Sequence, residues 1–271
     1  MSPAAPASCP LCGAEALETA FRYDAPPPGE TDFPLGEGQR YEREYRRCRV
    51  CGHLVAVHDL DLSGLYEGEY MDSTYAGDQL RETFERIMSL PPERSDNLQR
   101  VARIRRFWTD RRGEVGGTLL DVGSGLGVFG ARMKEAGWSC TALDPDPRSV
   151  RHADEVVGVH AVQADFTTAG ELGRFDLVTF NKVLEHIDDP VAMLARARAH
   201  LADGGFVYVE VPDGEGAATE GPEREEFFVE HVHVFSAASV ALLGARAGYS
   251  LEAVERIREP STKYTLAAFL R

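Results

Sequence analysis

From about residue 80 onward, short apolar segments alternate with amphipathic ones. Leu80, Phe84, Ile87 and Met88 recur at helical spacing until Pro91-Pro92 stops the pattern, and Leu98, Val101, Ile104 and Trp108 mark one face of a second helix. Beyond them the pattern predicts strands over 118–122, 140–143 (ending at Asp144), 159–163, 175–180 and 206–211. Helices are predicted between them over 127–136, 147–154 and 191–201. Short, continuously apolar strands joined by helices imply a parallel sheet with both faces covered, an α/β fold. Residues 213–225 read as an irregular Gly- and Glu-rich loop, Ser236 as the cap of a helix running to Ala247, and 250–257 with 263–270 as a closing hairpin.

The first 60 residues follow no such period. Residues 2–8 are all Ala, Pro or Ser, and Ala25-Pro26-Pro27-Pro28-Gly29 lies in a stretch with few apolar anchors. Tyr41–Arg46 and Leu54–Val57 read as strands entering and leaving a turn. An external constraint must organise such a segment, and two cysteine pairs supply it: Cys9-Pro10-Leu11-Cys12-Gly13 and Cys48-Arg49-Val50-Cys51-Gly52. Two Cys-x2-Cys knuckles suit tetrahedral zinc, and four thiolates leave no open coordination position, so a structural rather than catalytic ion is expected at Cys9, Cys12, Cys48 and Cys51. A disulfide framework is disfavoured by the absent export signal. Cys140, inside a predicted strand, reads as packing. The expected organisation is a zinc-binding domain at 1–60, a helical linker and cap at 61–115 and a cofactor-binding domain at 116–271. Tyr66, Tyr70 and Tyr75 in the linker are candidates to line an acceptor pocket.

Charge narrows the partners. Lys and Arg total 29 against 44 Asp and Glu, a formal charge of -15, which argues against nucleic acid as a partner. The basic runs Arg103-Ile104-Arg105-Arg106 and Arg111-Arg112 read as a solvated helix face. No apolar run approaches the roughly 18 residues of a membrane span, and the start lacks a basic-then-apolar leader, so a cytoplasmic protein with no membrane partner is expected.

The first predicted strand of the sheet closes on Asp121-Val122-Gly123-Ser124-Gly125-Leu126-Gly127. Glycines there let the backbone turn sharply and let a ligand lie against it. Residues 125–130 also fit GxGxxG, with Asp144 about 20 residues on, so a nicotinamide dehydrogenase is a rival. Asp121 discriminates: a carboxylate before the turn suits a positively charged ligand and repels a pyrophosphate. Asp144, followed by Pro145, ends the second strand where a carboxylate accepts ribose hydroxyls. Asp165 and Phe166 follow the third, placed for an adenine amino group and base face, and Asn181 ends the fourth.

With the segment Phe175–His186, these motifs resemble those of class I S-adenosylmethionine-dependent methyltransferases over residues 95–271. The resemblance implies a Rossmann-like seven-stranded sheet, its last strand antiparallel, with S-adenosylmethionine held by Asp121, Gly123, Ser124, Gly125, Gly127, Asp144, Pro145, Asp165, Phe166 and Asn181. The four-cysteine element and the run Glu230-His231-Val232-His233-Val234-Phe235-Ser236 resemble zinc-containing small-molecule methyltransferases, including deoxysugar C-methyltransferases. That likeness implies His231 near the acceptor as a general base. Alternation along an extended loop would present His231 and His233 together, and His186 is a weaker base candidate. Those sugar enzymes carry a further C-terminal domain absent from this sequence, so O-methyl transfer is favoured over C- or N-methyl transfer. The expected acceptor is a small hydroxylated metabolite, a nucleotide-linked sugar or a natural-product intermediate, with Arg81, Arg100 and Arg103 as counter-charges to its phosphates. Some ribosomal RNA methyltransferases also carry an N-terminal four-cysteine element. Asn181-Lys182-Val183-Leu184, however, does not resemble the Asn/Asp-Pro-Pro-Tyr pattern of base-amino enzymes. A homodimer through the sheet edge or the zinc lobe is a further expectation.

Overall fold

The computed structural model describes residues 6–31, 35, 39–62 and 80–271. The linker tyrosines Tyr66, Tyr70 and Tyr75 lie outside the described residues.

The predicted strands form β4 (Thr118–Val122), β5 (Ser139–Asp144), β6 (His160–Gln163), β7 (Phe175–Asn181) and β8 (Leu201–Pro212), all parallel. The closing hairpin is β10 (Leu251–Arg258) and β11 (Tyr264–Leu270), and β11 inserts antiparallel beside β8. The sheet order is β10-β11-β8-β7-β4-β5-β6, so the sheet has seven strands with the last one antiparallel, as expected.

Alternate residues face opposite cores. Leu120, Val122, Val178 and Phe180 point to one side and Leu119 and Leu177 to the other. On the second side lie α1 (Leu80–Met88), α2 (Asp96–Arg112) and α3 (Val128–Glu135), with Val101, Ile104 and Trp108 of α2 buried against the sheet. α2 begins where Ser95 accepts from the Leu98 amide and ends at Gly113 in the left-handed region. β5 and β6 are joined by α4 (Pro147–His152), which runs into a π-turn over Ala153–Val157. The first side is covered by α5 (Pro190–Arg196) and by the helix at Ala237–Arg246, which Ser236 opens through a reciprocal capping box with Ser239.

Local predictions failed where the chain changes direction. The helix expected over 191–201 ends in a 3-10 turn at Ala197–His200, because Leu201 already pairs with Phe175 and extends β8 backwards. The loop at 213–225 contains a short helix, α6 (Gly214–Ala217), held by the Asp213 carboxylate accepting from the amides of Glu215 and Gly216. The helix at 237–246 is therefore α7.

The N-terminal residues form a second, antiparallel sheet from β1 (Leu17–Tyr23), β2 (Arg43–Cys48) and β3 (Leu54–His58). Its fourth strand is β9 (His233–Val234), contributed from beyond β8, with Leu54 opposite Val234 and Val55 opposite His233. The cysteine knuckles share a core with Val240 and Leu243 of α7, so this lobe packs on the first face of the main sheet.

Candidate active site and cysteine centre

The glycine turn sits between the ends of β4 and β5. The Gly123 and Ser124 amides both donate to the Leu143 carbonyl, at 2.8 and 3.1 Å. Gly123 adopts φ 68°, and a Cβ there would lie 2.7 Å from Val183 Cγ2, so the turn requires glycine for conformation and for space. Asp121 is buried, and its Oδ1 accepts from Thr179 Oγ1 at 2.7 Å and Asn181 Nδ2 at 2.9 Å. Burial raises its pKa to about 6, against the pull of those two donors. Through this bond Asp121 fixes the Asn181 amide, whose Oδ1 is buried without a protein partner, as is Ser124 Oγ. Two orphaned polar atoms beside a glycine turn suit a ligand that donates hydrogen bonds there, such as an ammonium group.

Asp144 accepts from the Gly125 amide at 2.8 Å and the Asp146 amide at 2.9 Å. Burial raises its pKa despite those bonds. Each carboxylate oxygen retains a lone pair for a ribose hydroxyl. Pro145 is exposed beside it. Asp165 is exposed, and its Oδ1 accepts from Thr167 N and Oγ1, both at 2.8 Å. Phe166 turns inward, 2 % exposed, onto Phe180 and His200, so its ring belongs to the core beneath the crevice rather than to an open base-stacking face.

A cavity of about 120 Å³ opens past the ends of β7 and β8, lined by Lys182, Glu185, His186, Glu230, His231 and Lys263 among others. The end of parallel strands is where open α/β sheets bind ligands. Glu185 and His186 lie on a 3-10 turn, Leu184–His186, that follows β7. His186 Nδ1 contacts the Glu230 carbonyl at 2.8 Å, His231 Nδ1 contacts the Glu226 carbonyl at 2.9 Å, and the ring centroids are 5.0 Å apart. Burial, with the neighbouring His186, holds His231 well below the usual histidine range, and burial lowers His186. Glu185 is pushed up to about 7 by burial, and its Oε2 has no hydrogen-bond partner. Lys182, at φ 60°, carries the strained backbone that a chain reversal directly after a strand demands.

The expectation that His231 and His233 act side by side does not hold, because each ring has a different partner. His233 lies in β9, 2 % exposed, with Nδ1 3.0 Å from His53 Nε2 of the N-terminal lobe. Pairing with β3 pins it there, a constraint invisible to the local alternation. The arginines expected as phosphate counter-charges are also committed elsewhere. Arg100 and Arg103 converge on the buried Glu210, with Arg100 Nε at 2.7 Å and Arg103 Nη1 at 3.1 Å, and Arg81 pairs with Glu85 on α1.

Loop 226–236 is held by the lobe at several points. The Tyr45 hydroxyl lies 2.6 Å from the His231 carbonyl, and Arg43 Nη1 donates to the Phe227 carbonyl at 2.7 Å. Glu30 accepts from the Val229 amide at 2.8 Å and pairs with Arg43, also at 2.7 Å. None of these partners carried a sequence signal.

The four thiols come together as the spacing predicts. Cys9 and Cys51 sulfurs are 3.6 Å apart and Cys12 and Cys48 sulfurs 3.5 Å apart. A disulfide is about 2.05 Å, whereas four sulfurs at 2.3 Å around one tetrahedral ion stand about 3.8 Å from one another. The Gly13 and Gly52 amides close the knuckles onto the Cys9 and Cys48 carbonyls. The set fits a four-thiolate metal ion.

A methyltransferase-domain family model matches residues 91–254, which span the glycine turn, the acidic strand ends and the histidine cavity. The chain belongs to this methyltransferase family. It has the class I S-adenosylmethionine-dependent methyltransferase fold that its motifs resemble. Ubiquinone biosynthesis O-methyltransferases are similar over part of it: that of Aromatoleum aromaticum is 30% identical over 119 residues, 41% of this chain and 51% of its own. That of Caulobacter vibrioides is 32% identical over 118 residues, 41% and 47% respectively. The chain thus spans about half the length of these curated relatives. Among solved structures, magnesium protoporphyrin IX methyltransferase from Synechocystis PCC 6803 superposes with a TM-score of 0.56 at 17% identity, covering 75% of this chain and 97% of that one. The 1,6-didemethyltoxoflavin-N1-methyltransferase of Burkholderia thailandensis gives 0.54 at 20% identity, covering 81% and 95%. Both structures contain S-adenosylhomocysteine, and the likeness is one of fold. Among the described residues, no helix is long and apolar enough to cross a membrane.

Proposed function

We propose that this methyltransferase passes the methyl group of S-adenosylmethionine to a hydroxyl of a small hydroxylated metabolite bound at the His186–His231 cavity. The observation that carries the reading is the contact of His231 Nδ1 with the Glu226 carbonyl. A backbone carbonyl only accepts, so the contact with the Glu226 carbonyl keeps the proton on Nδ1 and leaves the Nε2 lone pair as the proton acceptor. Burial keeps that imidazole neutral at physiological pH, the form a general base needs. In the reaction the sulfonium C–S bond breaks as the O–CH3 bond forms, sulfur keeps the electron pair as a thioether, and the hydroxyl proton passes to Nε2. The sulfonium supplies the electrophile, and the protein contributes position and proton removal.

The cofactor would lie against the Gly123–Gly127 turn, with Asn181 and Ser124 toward its amino-acid end and Asp144 toward its ribose. The four cysteines would hold zinc structurally, at a distance from the chemistry. The relatives named for ubiquinone biosynthesis act on oxygen, which supports the acceptor atom. Acceptors to test are polyhydroxylated small molecules, nucleotide-linked sugars among them.

The test scans such a panel for S-adenosylhomocysteine release. His231→Ala should lower turnover by roughly 10²–10⁴-fold while calorimetric affinity for S-adenosylhomocysteine stays within a few-fold of the parent. Equal turnover in a folded His231→Ala protein would refute the base role.

A further inference from the structure

Glu185 is 1 % exposed, and among the described residues its Oε2 has no hydrogen-bond partner. It sits on the 3-10 turn after β7 and lines the same cavity as His231. A buried carboxylate oxygen left bare is costly, and folded proteins keep one where a ligand will complete it. The cations that face it are engaged elsewhere. Lys182 bonds Thr265 Oγ1 and lies 3.5 Å from Glu259, and Lys263 lies 3.4 Å from Glu225. Burial therefore prevails over the pull of both lysines and pushes the carboxyl up to about 7. A carboxylate oxygen of Glu185 lies within 4.8 Å of a ring nitrogen of His231. With acceptors this close and hydrogen bonds of about 2.7–2.8 Å on each, donors on neighbouring carbons of one molecule reach both.

We infer that Glu185 determines acceptor specificity: its Oε2 takes a hydrogen bond from a second donor, a hydroxyl or an ammonium group, on the carbon next to the one whose hydroxyl is methylated. The inference rests on the proposal that this cavity receives the acceptor, and it narrows that acceptor to a vicinal diol or a vicinal amino alcohol. The His231 Nε2 lone pair stays with the reacting hydroxyl, and Glu185 holds its neighbour. Two points of attachment fix the rotation of the acceptor, so the attacking oxygen is aimed rather than merely contained. An analogue without the second donor leaves a desolvated carboxylate unpaired, which is how a polar site rejects a poorer substrate.

The test crosses residue with acceptor. S-adenosylhomocysteine release by the full-length protein is measured with a cyclohexane vicinal diol, the corresponding vicinal amino alcohol and cyclohexanol, in the parent, Glu185→Met and Glu185→Gln. Calorimetric affinity for S-adenosylhomocysteine and the melting temperature are recorded for each. Loss of a hydrogen bond to a charged group should lower kcat/KM of Glu185→Met by about ten- to a hundredfold for the two-donor acceptors, mainly through KM. Cyclohexanol should lose no more than a few-fold, and the parent should disfavour it by the same large factor. Glu185→Gln keeps an acceptor oxygen without the charge, so it should recover much of the loss for the diol and little for the amino alcohol. The parent's preference between those two identifies the donor it is built for. Because Oε2 has no protein partner, Glu185→Met should melt no lower than the parent. If Glu185→Met fails to fold, Glu185→Gln with the amino alcohol and cyclohexanol carries the test. An equal loss on all three acceptors, or a parent that uses cyclohexanol as well as the others, overturns the inference and leaves the cavity as the acceptor site. A loss of S-adenosylhomocysteine affinity as large as the loss of kcat/KM assigns the carboxyl to the cofactor and overturns it too. No release from any of the three by a parent that binds S-adenosylhomocysteine overturns the acceptor reading of the cavity as well.

Discussion

Replacing Gly123 by alanine sets two separable costs against each other. The first is conformational: φ 68° is a left-handed backbone, and an L-residue there costs roughly 1–2 kcal/mol. The second is steric. The added Cβ would sit 2.7 Å from Val183 Cγ2, and overpacking of this kind costs roughly 1–3 kcal/mol. Together Gly123→Ala should lose roughly 2–5 kcal/mol, and at about 2–4 °C per kcal/mol for a domain this size the melting temperature should fall by roughly 4–20 °C. Val183→Ala removes the clashing methyl while leaving φ untouched, so the double variant should recover the steric share alone. The assay is thermal or urea unfolding of the parent, both single variants and the double, read as a thermodynamic cycle. A coupling of about 1 kcal/mol or more is expected; if the two costs simply add within about 0.5 kcal/mol, the packing of Val183 over the glycine turn is refuted. The backbone share should persist as weaker S-adenosylhomocysteine binding in the double variant.

Asp121, whose pKa is raised to about 6 in the fold from an ordinary 3.8, makes stability depend on pH in a defined direction. Between those values the folded protein holds a proton that the unfolded chain has released. Stability is therefore full below about pH 4 for this group and declines as pH rises through 6, by up to about 3 kcal/mol. Asp121→Asn should remove that part of the slope in urea titrations across this window, and an unchanged slope would show that the group does not titrate there. Arg100→Met leaves Glu210 buried with Arg103 as its remaining ion-pair partner, at a cost of about 3 kcal/mol. Adding Glu210→Gln should restore part of the loss in denaturant midpoints; a double variant as unstable as the single would show that the arginine acts by packing rather than by pairing.

Much of the main sheet was legible because its strands are buried on both faces and therefore read as apolar runs in isolation. Phe175–Asn181 and Thr118–Val122 carry their own signal. The four cysteines were legible for a similar reason, since each knuckle is complete within five residues. What could not be read depended on partners distant in sequence. His233 looked like a companion to His231 until β3 claimed it, and Arg100 looked like a counter-charge for an acceptor phosphate until Glu210, on β8, met it. β9 has only two residues, too few for any periodicity, and exists because Leu54 and Val55 are there to pair with it. Glu185 gave no signal as a buried acid of the cavity, because a carboxylate on a helical turn is ordinary in sequence and unusual only when buried. Phe166 illustrates the reverse case: correctly located after a strand, it turned toward the core because Phe180 offers it an apolar neighbour.

The pairing of β3 with β9 also sets a timetable for biosynthesis. His53 and His233 are separated by 180 positions, and the amide of Ala56 donates to the Val232 carbonyl across a similar interval. At roughly 5–20 residues per second, a ribosome takes on the order of ten to forty seconds to deliver the second partner after the first. During that interval β3 presents an open edge, and the thiols lack the α7 surface they finally rest on. Early metal capture by the cysteines would protect the nascent lobe through the wait, so metal supply during translation, more than metal supply to the finished enzyme, should govern the yield of folded protein.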